Sequence, residues 1–261
     1  MSTSSPNPQR TGARTMAVTS GKGGVGKTFV TANLAAALAA HGHKVLVLDA
    51  DLGLANLDVV LNLYPKLTLH DVFTEKCTLD EAILPAPGGF SVLLAGSGMV
   101  EYSRLTPEVR DKLLQILEVV KPRFDWVLLD TGAGISDVVL YSISLAADVL
   151  VVATPEPTSL TDAYATIKVL VTQQERRNIG LLVNQVGRIG EGRMICGQLQ
   201  NVLQRFIGGL PGPGFQLTLL GEVRSDPSVR QAVLKRQLLL EHYPGSDAAQ
   251  AIKALAAKLS A

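Results

Sequence analysis

Cysteine is scarce: the 261 residues contain two, Cys77 and Cys196, far apart in the chain. Two thiols at that separation make neither a disulfide framework nor a zinc knuckle, and they read as reduced cysteines of a cytosolic protein. An excess of charge of one sign is also lacking. Twenty-four Lys and Arg against 23 Asp and Glu leave a formal net charge of +1, so bulk charge points to neither a nucleic-acid nor a membrane partner. No apolar run approaches the ~20 residues of a transmembrane helix. The opening MSTSSPNPQRTGAR lacks the apolar stretch of a secretion signal, and residues 1–13 read as a flexible tail. No internal repeat and no long linker divides the remainder. The expectation is one domain over residues 14–261, with Pro211–Gly214 a turn-rich connection inside it. The expected location is the cytoplasm, with at most peripheral contact at the inner face of the cell membrane.

What the chain does have is apolar content, 47% of residues, enough for a substantial core. Short β-branched runs alternate with longer amphipathic segments, which predicts an α/β fold: a mostly parallel central sheet with helices on both faces, three layers in all. The predicted strands are 15–19, 44–48, 90–94, 126–129, 149–153, 180–183 and 216–220. Val109, Leu113, Ile116, Leu117 and Val120 recur at helical spacing and predict a helix over 106–121 with one core face. Ala248, Ala251, Ile252, Leu255 and Leu259 form a similar stripe near the end of the chain. With Lys253 and Lys258 and no aromatic residue, that segment lacks the marks of an interfacial anchor and is expected to dock on the core.

The first predicted strand runs into Ser20-Gly21-Lys22-Gly23-Gly24-Val25-Gly26-Lys27-Thr28, and an Ala- and Leu-rich helix follows from about residue 29. This is the G-x-x-x-x-G-K-[ST] phosphate loop in its strand–loop–helix context. Glycines let the backbone curl so that several N–H groups converge, and the helix N-terminus adds its positive dipole end. Lys27 is expected at the β- and γ-phosphates of ATP and Thr28 at Mg²⁺. The nucleotide-binding stretch is thus Gly21, Lys22, Gly23, Gly24, Val25, Gly26, Lys27, Thr28 and Phe29. Lys22 is a second lysine that cradling one nucleotide does not require. It is either a solvated loop residue or a contact to another phosphate, including one bound by a partner subunit.

Carboxylates follow further on. Strand two runs into Asp49-Ala50-Asp51, where ligands bind in this fold class. Asp51 is a candidate to orient the attacking water and to stand near the metal; Asp49 either supports the metal shell from further out or serves a turn. Trp126-Val127-Leu128-Leu129-Asp130 has the Walker-B pattern, with Asp130 the expected Mg²⁺ partner. Asn184 closes a predicted strand, either as an adenine contact or as a turn residue.

The loop GKGGVGKT with its extra lysine resembles the deviant Walker-A group, which includes the MinD and ParA ATPases. Three later stretches, DADLGLANLD, DTGAGIS and PEPTSLTDAYATIKVL, resemble the branch that regulates flagellar number and placement, FlhG or FleN. The similarity spans about Thr15 to Leu259. It implies an ATPase switch with Lys22, Lys27 and Asp51 in the catalytic roles. It further implies an ATP-sandwiched homodimer with Lys22 contacting phosphate across the interface, Asp130 as Walker-B residue and Asn184 on adenine. Partners implied are a flagellar signal-recognition-type GTPase and a flagellar transcription activator. Three departures stand out. The opening has no Asp-Gln-Ala-like activator motif. Arg224 stands where relatives often have Pro near the adenine, so it is expected on the base. The chain also stops at Ala261, where many relatives continue into an amphipathic membrane-targeting helix.

The main alternative is a ParA-type ATPase that positions plasmid, chromosome or protein cargo on non-specific DNA. That needs a basic surface, for which Arg176-Arg177 and the Arg188/Arg193 pair are the candidates. A metabolic enzyme of the same fold would need a further catalytic constellation, and none is evident. A scaffold that binds ATP without hydrolysing it would release no phosphate.

Overall fold

The computed structural model describes residues 12–53, 56–96, 104–207 and 214–261. Among these, eight strands form one sheet: β1 (Arg14–Ser20), β2 (Val45–Ala50), β3 (Ile83–Pro85), β4 (Ser91–Leu93), β5 (Trp126–Ala133), β6 (Asp148–Ala153), β7 (Asn178–Val186) and β8 (Gln216–Arg224). Their spatial order is β3-β4-β2-β5-β1-β6-β7-β8. Every pairing is parallel except β3 against β4, which is antiparallel. The helices are α1 (Lys27–Ala40), α2 (Leu57–Leu61), α3 (Leu69–Phe73), α4 (Leu79–Ala82), α5 (Pro107–Val120), α6 (Asp137–Ser144), α7 (Pro157–Gln173), α8 (Glu191–Ile207), α9 (Pro227–Leu234), α10 (Leu239–His242) and α11 (Asp247–Ser260).

Strand residues alternate between two cores because successive side chains point to opposite faces. Leu46, Leu48, Val127 and Leu129 face one core with α5, α6, α7 and α8. Val45, Val47, Trp126 and Leu128 face the other with α1, α10 and α11. Both faces are covered, which is why these strands read as continuous apolar runs. Helix α1 is buried nearly all round, from Phe29 to Leu38. It lies between the sheet and α11, and such a two-sided burial removes the amphipathic stripe. The stripe of α5 is buried as its spacing predicts. In α11, Ala248, Ala249, Ile252, Leu255, Ala256 and Leu259 are buried, while Ala251 is half-buried.

Several boundaries differ from the sequence expectation. β2 continues to Ala50, β5 to Ala133, β7 to Val186 and β8 to Arg224. Asp49, Asp130 and Asn184 therefore lie within strands, with Asp51 the first residue past one. Pairing with neighbours carries each strand on: Asp49 is in register with Asp130, and Asn184 with Val223. α1 begins at Lys27, two residues before the expected start. β3 was not foreseen, because three residues containing a proline carry no period of their own. Residues 1–11 of the expected tail, Leu54 and Ala55, and Pro211–Pro213 of the expected connection fall outside the described residues.

Candidate nucleotide site

The carboxyl ends of the central parallel strands converge on the connection from β1 to α1. Two glycines there are dictated by close approach. A Cβ on Gly21 would lie 2.2 Å from the backbone carbon of Asp162 in α7, and one on Gly26 would lie 2.4 Å from Asn184 Nδ2. Gly26 is also in the left-handed region, φ 91°, where it caps α1 without any side-chain hydrogen bond. The first amides of α1 thus stay free of a side-chain acceptor, the arrangement that receives an anion.

A cavity of about 850 Å³ lies in front of this loop. Of the residues expected at the site, Gly23, Gly24, Gly26, Lys27, Thr28, Phe29, Asp51, Asn184 and Arg224 line it. Gly21, Lys22, Val25 and Asp130 are not part of its wall. Lys27 reaches Asp130, Nζ to Oδ1 at 3.4 Å, and its side chain is 10% exposed. Thr31 Oγ1 donates to the same Asp130 oxygen at 3.0 Å. Asp130 therefore stands behind Lys27, outside the cavity wall, and holds its ammonium.

Asn184 is built into the site by two bonds. Its Nδ2 donates to Val25 O at 2.8 Å, and its Oδ1 accepts from the Gln185 amide at 3.0 Å. Gln185 has φ 59° and lines the cavity beside it. Arg224 closes the far wall, where its Nη1 meets Asp247 Oδ2 at 2.7 Å. Asp226 follows. Burial alone would raise its carboxyl, but amides of Ser228 and Ala248 donate to it and hold it below the usual value. The segment after Asp130 is held against the loop, since Gly134 N donates to Ser20 O at 2.8 Å.

Three residues singled out in the sequence make their bonds outside the cavity wall. Lys22 points away from the cavity. Its Nζ binds Glu156 Oε2 at 3.2 Å and Thr158 Oγ1 at 3.0 Å, both at the start of α7. Asp49 is 1% exposed and lies outside the cavity wall. Burial first, then the neighbouring Asp130, pushes its carboxyl well above the ordinary range. Arg176, expected on a basic surface, donates instead to the carbonyls of Ile143, Ser144, Ala146 and Ala147. It closes the C-terminal end of α6 and is committed to that role. Sequence reasoning missed Thr31, Gln185 and Asp226. Thr31 lies one turn after Lys27 and could have been found from that spacing; the other two become neighbours through β7 and β8.

The donor set suits a magnesium–nucleotide complex: an uncapped helix N-terminus, an ammonium held in place, the Thr28 hydroxyl and the Asp51 carboxylate on one wall. Fold and site together define a P-loop nucleotide-binding protein. The sequence family described as ParA, NUBPL iron-transfer P-loop NTPase, matches residues 12–260. The antiactivator FleN of Pseudomonas aeruginosa is 42% identical over 244 residues, 94% of this chain and 85% of that protein. The flagellum site-determining protein YlxH of Helicobacter pylori is 32% identical over 245 residues, 94% of this chain and 81% of that protein. The septum site-determining protein MinD of Pyrococcus horikoshii, solved as a complex with Mg-ADP, superposes with a TM-score of 0.74 at 27% identity, covering 95% of this chain and 96% of that one. The chain belongs to the ParA/MinD family of P-loop ATPases, in the branch of the FleN/FlhG flagellar regulators.

Proposed function

We propose that this protein hydrolyses ATP slowly as a switch, dimerises in the ATP state and through that state restrains the number and placement of flagella. What carries the reading is the cavity wall, on which Lys27, Thr28 and Asp51 meet in front of an uncapped α1. The α1 amides and Lys27 hold the phosphates. Magnesium, when bound, would neutralise charge on the β- and γ-oxygens, with Thr28 and Asp51 as the residues nearest to hold it and Asp130 steadying Lys27 behind. Asp51 orients the attacking water. Asn184, Gln185 and Arg224 form the wall for the base.

The dimer reading rests on Lys22. Its partners Glu156 and Thr158 are surface groups, with side-chain exposures of 40% for Lys22 and 64% for Glu156. An exposed pair of this kind is worth about 0–1 kcal/mol, so Lys22 can exchange it for a phosphate on a second subunit at little cost. The proposed partners are a signal-recognition-type flagellar GTPase and a flagellar transcription activator. A DNA-tracking role draws less support, because Arg176 is spent on α6.

The test is the size of the protein without nucleotide, with ADP and with ATP, together with phosphate release. The expected result is a dimer with ATP alone and slow release. A size unchanged by ATP, or absent turnover with the transcription activator and the GTPase both supplied, would sink the reading.

A further inference from the structure

Strands β2 and β5 run side by side as far as Ala50 and Thr131, and there the pairing ends. Asp51 is the first residue beyond β2, and its amide donates to the side chain of Asp49, at 3.2 Å from Oδ1. Asp49 shares a strand face with Val45 and Val47, which are buried in the α1 core. It is itself 1% exposed. Among the described residues this is the only hydrogen bond of the Asp49 side chain, because Oδ2 is buried without a partner. A buried carboxyl satisfied at one oxygen is destabilising. An apolar residue would continue the stripe of Val45 and Val47 without that cost. What the position retains is an acceptor for one amide, that of Asp51.

The other end of Asp51 is seated closely as well. A Cβ on Gly132 of β5 would lie 3.3 Å from Asp51 Oδ1 and 3.0 Å from Val139 Cγ2 of α6. The Asp51 carboxylate thus rests against β5 while it lines the nucleotide cavity. Release of its amide would let the carboxylate drift from that seat. A misplacement of about 1 Å costs about 100-fold where a group must meet a reacting atom. An outer place in a magnesium shell fits Asp49 less well, since it stands outside the cavity wall.

We infer that Asp49 is a positioning residue: as a hydrogen-bond acceptor for the Asp51 amide, it fixes where the Asp51 carboxylate meets the attacking water. The inference rests on the proposed role of Asp51. Its test compares Asp49→Asn, which keeps both shape and acceptor, with Asp49→Leu, which keeps the shape alone. Asp49→Ala stands in if the leucine variant does not fold. Hydrogen exchange at the Asp51 amide is followed in the nucleotide-free chain, and kcat and KM are measured with Mg-ATP. Asp49→Asn should keep the protection of that amide and stay within about threefold of the parent kcat. Asp49→Leu should lose the protection and about 10–100-fold in kcat, with KM within about threefold. In an Asp51→Ala background, Asp49→Leu should cost nothing further, because it acts through Asp51. Unchanged turnover or unchanged protection in Asp49→Leu overturns the inference. So does an Asp49→Asn variant as slow as Asp49→Leu, which would assign the role to the charge of a carboxylate. Normal turnover of Asp51→Ala would remove the reading of Asp51 and this inference with it. A slow Asp51→Ala beside an unimpaired Asp49→Leu would remove this inference alone.

Discussion

Lys27 and Asp51 face one cavity but are asked for different things. Lys27 is nearly buried, and Asp130 and the start of α1 fix where its ammonium sits. Hydrogen bonds to charged groups contribute about 1.5–3 kcal/mol each. Lys27→Ala should therefore weaken ATP binding by about 100-fold or more in calorimetry. Unchanged affinity would contradict the assignment. The proposed role of Asp51 toward the phosphates runs only through magnesium, which Thr28 would still hold in its absence, and its carboxylate repels them directly. Asp51→Ala should bind ATP at least as well and still dimerise, while phosphate release falls about 10²–10⁴-fold, the usual value of a positioned general base. Normal turnover, or a variant that stays monomeric with ATP, would remove Asp51 from the mechanism.

Helices α9 and α11 meet at Asp226, and what they share sets the rear of the nucleotide cavity. Asp226 Oδ1 caps α9 by accepting from Ser228 N at 2.8 Å, and Oδ2 accepts from Ala248 N of α11 at 3.2 Å. Loss of an N-cap costs about 0.5–2 kcal/mol, so Asp226→Ala should lower the unfolding free energy by that amount at neutral pH. The sign with pH follows from the lowered folded value of this carboxyl. Its contribution is complete above the unfolded value of about 3.9 and disappears as pH falls through the lower folded value. Parent and variant should therefore converge in strong acid, and a gap that persists below that window would point to packing instead.

α11 itself has no spare apolar face. Its stripe is buried against α1 and the sheet, and its two lysines donate to Pro244 O at 3.0 Å and Leu219 O at 2.9 Å. No described helix is long and apolar enough to cross a membrane. Co-sedimentation with anionic liposomes and ATP should be weak. Strong pelleting would mean that α11 leaves the core.

At the scale of the whole molecule, the proposed switch depends on whether two copies meet over nucleotide. On the proposed function Lys22 separates binding from assembly; it lies outside the cavity wall and is tied at the surface to α7. Lys22→Ala should keep ATP affinity within a few-fold and lose the ATP-dependent rise in light scattering. A variant that still dimerises would return Lys22 to the role of a loop residue. Loss of ATP binding would put it in the cradle of its own subunit.

The parts that the sequence determined are those made by neighbours along the chain. Nine consecutive residues carry the phosphate loop, and the strand before and helix after it are local in the same sense. The stripe of α5 and the docking stripe of α11 were legible because helical spacing needs no knowledge of what covers it. β3, by contrast, exists through its pairing with β4. Only the tertiary structure could turn Lys22 toward α7, commit Arg176 to α6 and pair Arg224 with Asp247. The same holds for Asp49, for which the sequence left open an outer metal-shell role or a turn, and which the fold buries with its Oδ1 on the Asp51 amide. A side chain's type limits what it can bond, but its partner is whichever group distant strands and helices bring within about 3 Å, and that is settled only when they pack.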